Sequence, residues 1–271
     1  VFAALRARWD RLPGNLRGGI FILLGGFGMS SALAIAKQLS GEIHAFELNF
    51  FRCVFGLIAF VPLFLREGPG LLRTKNVGYL LGRGFFGGLG QVCVYYAVAY
   101  LSLAVVVSIT FTRPLFLVVL AILFLGERVR WRRWTAIAVG FAGVLIVARP
   151  DIGGLSLPLI VLLCSTFCHA SAHVFLKKST GVDRPATVVF WYLVISTIVG
   201  ALPLPWVWTM PTGEQFFWLA LSGIAYLVGQ GLLTFAFRAG EATAIMPFDY
   251  VRLLYGIIFD IVLFALFPDG W

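Results

Sequence analysis

Runs of about twenty apolar residues follow one another along the chain, separated by short polar gaps. The runs cover 18–39, 43–65, 77–99, 103–125, 132–149, 156–177, 185–208, 214–237 and 242–267. At about 1.5 Å of rise per residue, a helix over each run is the length of a membrane crossing. The gaps hold the breakers: Gly41, the turn at Glu67–Gly70, Gly126, Pro150, Gly181, Pro211 and Gly240. No gap has room for a soluble domain, a linker or a low-complexity segment. The pattern therefore predicts an all-α integral-membrane protein with nine helices present.

Composition sharpens this picture. Apolar residues make up 60% of the chain and charged residues 12%, about half the charge of a soluble domain. Such a chain cannot cover a globule with polar surface, so its outer solvent is lipid. The net charge of +9 would suggest nucleic acid in a soluble protein, but here the basic residues punctuate apolar runs, and no nucleic-acid partner is expected. Arg6, Arg8, Arg11, Arg17, Arg66, Arg73, Lys75, Arg128, Arg130, Arg132, Arg133, Lys177, Lys178, Arg184 and Arg238 fall on one side, and only Lys37 and Arg149 on the other. Positive residues are retained on the cytoplasmic face, which places the N-terminus in the cytoplasm of a bacterial inner membrane. The four cysteines all lie inside apolar runs, so a disulfide framework is not supported.

The chain also repeats itself. A shift of 139 residues lays Gly90-Gln91 on Gly229-Gln230, Arg113 on Arg252 and Gly84 on Gly223. The first and sixth runs align within one residue, ending Ser40-Gly41 and Thr180-Gly181. The unit is five helices, and an odd number inverts the second copy. The organisation expected is a cytoplasmic segment at 1–17, a first repeat at 18–149 and a second at 150–271. The repeat also predicts a partner for the fifth helix near 271–288, so a tenth helix is expected beyond Trp271. The opening at Val1 rather than Met reads as a trimmed N-terminus.

The stretch PLFLVVLAILFLGERVRWRRWTAIAVGFAGVLIVARP (Pro114–Pro150) resembles the EamA-type branch of the drug/metabolite transporter superfamily. So do Phe50-Phe51-Arg52, Gly90-Gln91 and PFDYVRLLYG at Pro247–Gly256. Leu125-Gly126-Glu127 is the most specific element. The resemblance covers essentially the whole chain. It implies ten helices in two EamA repeats, a central substrate cavity and cytoplasmic termini. Two departures stand out: the second Gly-Glu position reads Ala265-Leu266, and the tenth helix is absent.

An ionisable group at membrane depth costs about 2.5–3.5 kcal/mol on insertion scales, so each needs a reason. Arg113 and Arg252 lie near the centres of equivalent helices, and Asp249 shares a helical face with Arg252. They predict either a charged pocket for a substrate carboxylate or phosphate or an internal ion pair that only fixes packing. Glu47 and Arg52 sit in the outer half of the second helix, five residues apart; each is expected either to find a partner on another helix or to contact the substrate or a gate from the cavity wall. Arg83 is two turns from the cytoplasm and is expected to snorkel to the interface. Asp260, left unpaired, would hold a proton and suit proton-coupled transport. Gln91, with Tyr95 a turn away, and its repeat equivalent Gln230 fit substrate contact or interhelix bonding equally. His169 and His173 form one pair and Cys164 and Cys168 another, but the pairs point about 100° apart on the helix. No carboxylate accompanies them, so no metal is expected, and a polar cavity wall is the reading for His169. No cofactor is implied.

These residues read together as a secondary transporter working by alternating access on a small polar metabolite. The first, third, fourth, sixth, eighth and ninth helices should line its cavity. Amino-acid or related metabolite export is the specific expectation. A nucleotide-like metabolite, vitamin or drug is the alternative solute. An intramembrane enzyme is a further alternative, but no Gly-x-Ser-x-Gly or His-Glu-x-x-His pattern exists. A channel is argued against only weakly by the two-fold repeat. Cysteines introduced near Arg73 or Arg130 should be labelled only from the cytoplasmic side; labelling there from the periplasm would overturn the topology.

Overall fold

The computed structural model describes residues 12–101, 112–127 and 156–264 and, between them, 106, 109, 110, 131, 134, 135, 138, 139 and 142; the side chains of Asp260 and Phe264 are outside this set. The fifth predicted helix (132–149) and the stretch from Ala265 to Trp271 fall largely or wholly outside the described residues. All regular structure among the described residues is helical. The long elements are α1 (Gly14–Leu39), α2 (Ala45–Glu67), α3 (Val77–Tyr100), α4 (Arg113–Leu125), α5 (Leu157–Thr180), α6 (Pro185–Ala201), α7 (Gly213–Ala239) and α8 (Val251–Phe264).

Four of these, α1, α2, α5 and α7, are long and apolar enough to cross a membrane; α4 and α6 are shorter apolar helices. Local chemistry sets several ends. Thr212 caps α7 with a capping box, its hydroxyl accepting from Gln215 N while the Gln215 side chain accepts from Thr212 N. Gly126 closes α4 in the left-handed conformation at φ 65°, which glycine adopts without steric cost. The seventh predicted run, 185–208, is not one helix. After α6 the chain resumes as a single turn at Leu204–Val207, because Pro203 and Pro205 cannot donate to a continuing ladder.

Packing shows the two inverted halves as an exchange of partners. The first helix of each half lies along the third helix of the other: α1 on α7, and α5 on α3. The second helices, α2 and α6, cross each other, and each also packs on the other half's third helix. The fourth helices repeat the rule, α4 on α5 and α8 on α1. The same exchange holds at single residues. A Cβ at Gly84 would run into Ile195 on α6, and one at Gly223 would meet Gly56 N at 3.0 Å on α2. Ile195 and Gly56 are themselves 139 apart. Gly90 receives Cys168, and Gly229 receives Met29, again 139 apart. On α1 and α7 the backbones touch: a Cβ at Gly25 would come 3.0 Å from Gly229 O, and one at Gly28 would come 2.6 Å from Ala225 O. Small residues at such positions let helices associate where the hydrophobic effect cannot drive it.

The segment after α7 is tied down by three groups. The Glu127 carboxylate, just past Gly126, accepts from Ala242 N (3.0 Å), Thr243 N (3.2 Å) and Thr243 Oγ1 (2.7 Å). It thus caps the short helix Ala242–Ile245 of the other half. Lys177 Nζ donates to the carbonyls of Phe237 and Gly240, and Glu241 N donates to Asn15 Oδ1 at 2.9 Å. The Leu-Gly-Glu ending of α4 is therefore a clasp between the halves.

Three substitutions test these contacts. Gly223→Ala should cost about 1–3 kcal/mol of stability in detergent, since its Cβ would meet Phe55 Cβ at 2.6 Å and Arg52 O at 2.8 Å. Gly41→Ala, with nothing within 4 Å, should leave the melting temperature unchanged. Glu127→Ala should cost about 1–2 kcal/mol through the lost cap; an unchanged melting temperature would show that the clasp is not a stabilising contact.

Candidate functional site

The fourth and ninth predicted spans, 103–125 and 242–267, are not continuous α-helices. At the first, Thr112 N and Thr112 Oγ1 both donate to Ile109 O (3.0 and 2.7 Å), and Leu115 N donates to Thr112 O at 3.0 Å. At the second, Met246–Tyr250 is a 3-10 helix and α8 begins only at Val251. These i→i+3 bonds tighten the chain at places related by the repeat. Pro114 and Pro247, each near the start of its segment, lack the N–H that a regular ladder needs. The result is a pair of discontinuous helices, the usual frame of a substrate site at a repeat interface. Arg113 and Arg252 stand in the first turns of α4 and α8, where the helix dipole favours anions.

Between the halves lies a tight cavity of ≈ 60 Å³. Its walls carry Arg113, Arg252, Asp249, Gln91, Gln230, His169, Tyr95 and Arg52. They also carry Arg83, His173, Thr110, Tyr192 and Tyr226. All eight described long helices except α6 and α2 were expected to contribute; those two do so as well, through Tyr192 and Arg52. Both side chains are long enough to reach across the crossing of the second helices.

Asp249 sits between two guanidinium groups. Its Oδ2 is 3.9 Å from Arg113 Nη1 and 3.7 Å from Arg252 Nη1. Both distances exceed those of a charge-assisted hydrogen bond, about 2.7–2.9 Å. The carboxylate is shared and closes on neither partner. Elsewhere on the wall, Arg52 lays its guanidinium 3.6 Å from the centre of the Tyr226 ring and 5.5 Å from that of Tyr95. Its Nη2 donates to Asn49 Oδ1 at 2.6 Å. Arg83 stands 4.5 Å over the Tyr192 ring and donates to Gln230 Oε1 at 2.6 Å. Gln230 Nε2 in turn donates to the Tyr226 hydroxyl, and the Tyr192 and Tyr226 hydroxyls share a hydrogen bond at 2.6 Å. Among the described residues the cavity wall thus holds four guanidinium groups against one carboxylate.

Two expectations are corrected. Arg83 does not snorkel: it is 2% exposed, because a tyrosine face and a glutamine oxygen inside the bundle replace what the interface would offer. Glu47 is not on the cavity wall. It is 0% exposed and accepts from Thr209 N and Thr209 Oγ1, both at 2.8 Å, fastening the segment beyond α6 to the start of α2. Arg83 was the wall residue with a readable signal: it lies eight residues before Gln91, two turns along one helical face. Tyr226, four before Gln230, and His173, four after His169, carried the same signal. Tyr192 had none, since it belongs to a helix that is apolar all round. The side chain of Asp260 is outside the described residues. Among the described residues no group of three His, Cys, Asp or Glu is placed to hold a metal.

Residues 16–149 match the EamA-like transporter family. A riboflavin transporter of Rhizobium johnstonii is 29% identical over 94% of this chain and 85% of its own. An S-adenosylmethionine uptake transporter of Rickettsia felis is 27% identical over 96% of this chain and 88% of its own. The pseudopaline exporter CntI of Pseudomonas aeruginosa is 29% identical over 94% and 90%. A solved crystal structure superposes with a TM-score of 0.76 at 17% identity, covering 93% of this chain and 90% of that one, which shows the fold. These relatives are transporters rather than enzymes. With its inverted helical halves and the cavity between them, the chain is a transporter of small metabolites similar along its length to the EamA-type transporters.

Proposed function

We propose that this transporter carries a small metabolite bearing an acidic group, held between its two halves and released by alternating access. The observation that supports this reading most is the excess of four guanidinium groups over one carboxylate on the cavity wall. A buried cation without a counter-charge is costly, and an anionic or zwitterionic solute would offset that cost each time it binds. The shared Asp249 suits an amino-acid head: the solute's carboxylate would take a guanidinium and its ammonium would take Asp249. We favour export of an amino acid or related metabolite across a bacterial inner membrane, with the N-terminus cytoplasmic. Among the relatives, one is an uptake transporter of S-adenosylmethionine, which carries such a head, and one is an exporter. A vitamin is the second reading. The tyrosines on the wall offer a flat apolar solute something to lie against, and a riboflavin transporter is among the relatives.

In this reading Arg113, Arg252, Asp249, Gln91, Gln230, His169, Tyr95 and Arg52 contact the solute, and Glu47 does not. Arginine offers a planar fork that lysine lacks. Arg113→Lys or Arg252→Lys in proteoliposomes should therefore lower transport of a carboxylate-bearing solute by about tenfold or more, equivalent to about 1.4 kcal/mol, at unchanged expression. If both variants transport at the wild-type rate while Asp249→Asn unfolds the protein, the arginines only hold the fold together and the reading is wrong. Glu47→Gln should affect stability without changing the solute's apparent KM.

A further inference from the structure

The cavity wall carries two chemically different pairs of arginines. In one, Arg113 and Arg252 share Asp249, so that pair sits in mixed charge. The other is Arg52 and Arg83, 1% and 2% exposed. Among the described residues neither has a carboxylate within ion-pair distance. Their contacts are tyrosine faces, Asn49, Gln230 and the Cys53 sulfur. Each uses one terminal nitrogen for its hydrogen bonds. Arg52 Nε and Nη1 and Arg83 Nε are buried with no hydrogen-bond partner. A guanidinium has five N–H donors and no acceptor, and buried donors left unmet are costly. A neutral packing role would be served by side chains without that cost. Two such cations, both on the wall of one cavity, lack an acidic group that the protein itself does not provide.

We infer that Arg52 and Arg83 form a second anion subsite, and that the solute carries two acidic groups. One is the carboxylate of an amino-acid head, at Arg113, Asp249 and Arg252. The other is a further carboxylate or a phosphate, at Arg52 and Arg83. This inference rests on the proposed function and narrows it to a doubly acidic class. Gln230 and the Tyr226 hydroxyl, already bonded to each other and to Arg83, position that guanidinium. The tyrosine faces hold the two cations in place while the subsite is empty.

The test uses the full chain in detergent and follows thermal unfolding with L-serine, L-aspartate and O-phospho-L-serine as probes. All three share the amino-acid head, and the last two add a second acid of either kind. The expected result is an apparent Kd for at least one doubly acidic probe about tenfold below that for L-serine. Arg83→Gln should erase that advantage, bringing the doubly acidic probes to the affinity of L-serine, whereas Arg252→Lys should weaken all three probes. If Arg83→Gln does not fold, Arg83→Lys serves, with a narrowed advantage expected from loss of the fork. Equal affinity of the three probes for the unmutated protein would overturn the second subsite and leave the proposed function standing. An advantage that persists undiminished in both Arg83→Gln and Arg52→Gln would overturn it too, since the second acid would then be held elsewhere. Stabilisation by none of them would remove both the inference and the proposed function.

Discussion

A charged group inside hydrocarbon must find its partners within the protein, and four guanidinium groups stand inside this bundle. That requirement organises the interior. Arg113 and Arg252 are met by one carboxylate between them, and Arg52 and Arg83 by aromatic faces and amide oxygens. Each of these contacts crosses between helices or between halves, apart from the local bonds of Arg52 to Asn49 and Cys53 and the local pair of Arg252 with Asp249. The charges therefore do more than mark the cavity: they stitch together the elements that enclose it. Little room remains for water, so any solute that enters competes with protein groups already in contact.

The second determinant is the close approach of helices that have no water to drive them together. Glycines supply it. Gly25 and Gly28 bring α1 against the backbone of α7, and Gly84 and Gly223 seat the second helices in matching positions. The repeat is visible in these contacts at single-residue precision, even though the two halves share few identical side chains. Geometry at the crossings, where only the absence of a Cβ matters, has been kept while the residues around it differ.

The order of the eight described long helices was legible because hydropathy over twenty residues is a strong signal in a chain with so little charge. The repeat was legible at Arg113 and Arg252, at Gly84 and Gly223, and at the two glutamines, because residues that cannot be exchanged freely stay in register. The breaks in the fourth and ninth spans were not legible. Pro114 and Pro247 are compatible with a kinked continuous helix as well as with an interrupted one, and Thr112 shows its role only through its bond to Ile109 O. Arg83 was misplaced because distance from the helix end was weighed and helical face was not. Glu47 was misplaced because its partner, Thr209, lies 162 residues away in a segment with no pattern. Tyr192 was missed because a tyrosine in an apolar helix looks like any other aromatic until its neighbours are known, and Tyr226 because its place one turn before Gln230 was not weighed.

The crossed pairing of helices bears on how such a molecule moves. Where α1 and α7 touch backbone to backbone, there are no long side chains that could flex and let one slide past the other. Where Phe175, Cys168 and His169 of α5 fill the space over glycines of α3, the surfaces interlock in the same way. Each of these tight pairs takes one helix from the first half of the chain and one from the second. In the alternating access proposed above, the bodies that rock would therefore not be the two halves of the sequence. They would be mixed bodies, each woven from both halves, so that neither half could change conformation without carrying part of the other.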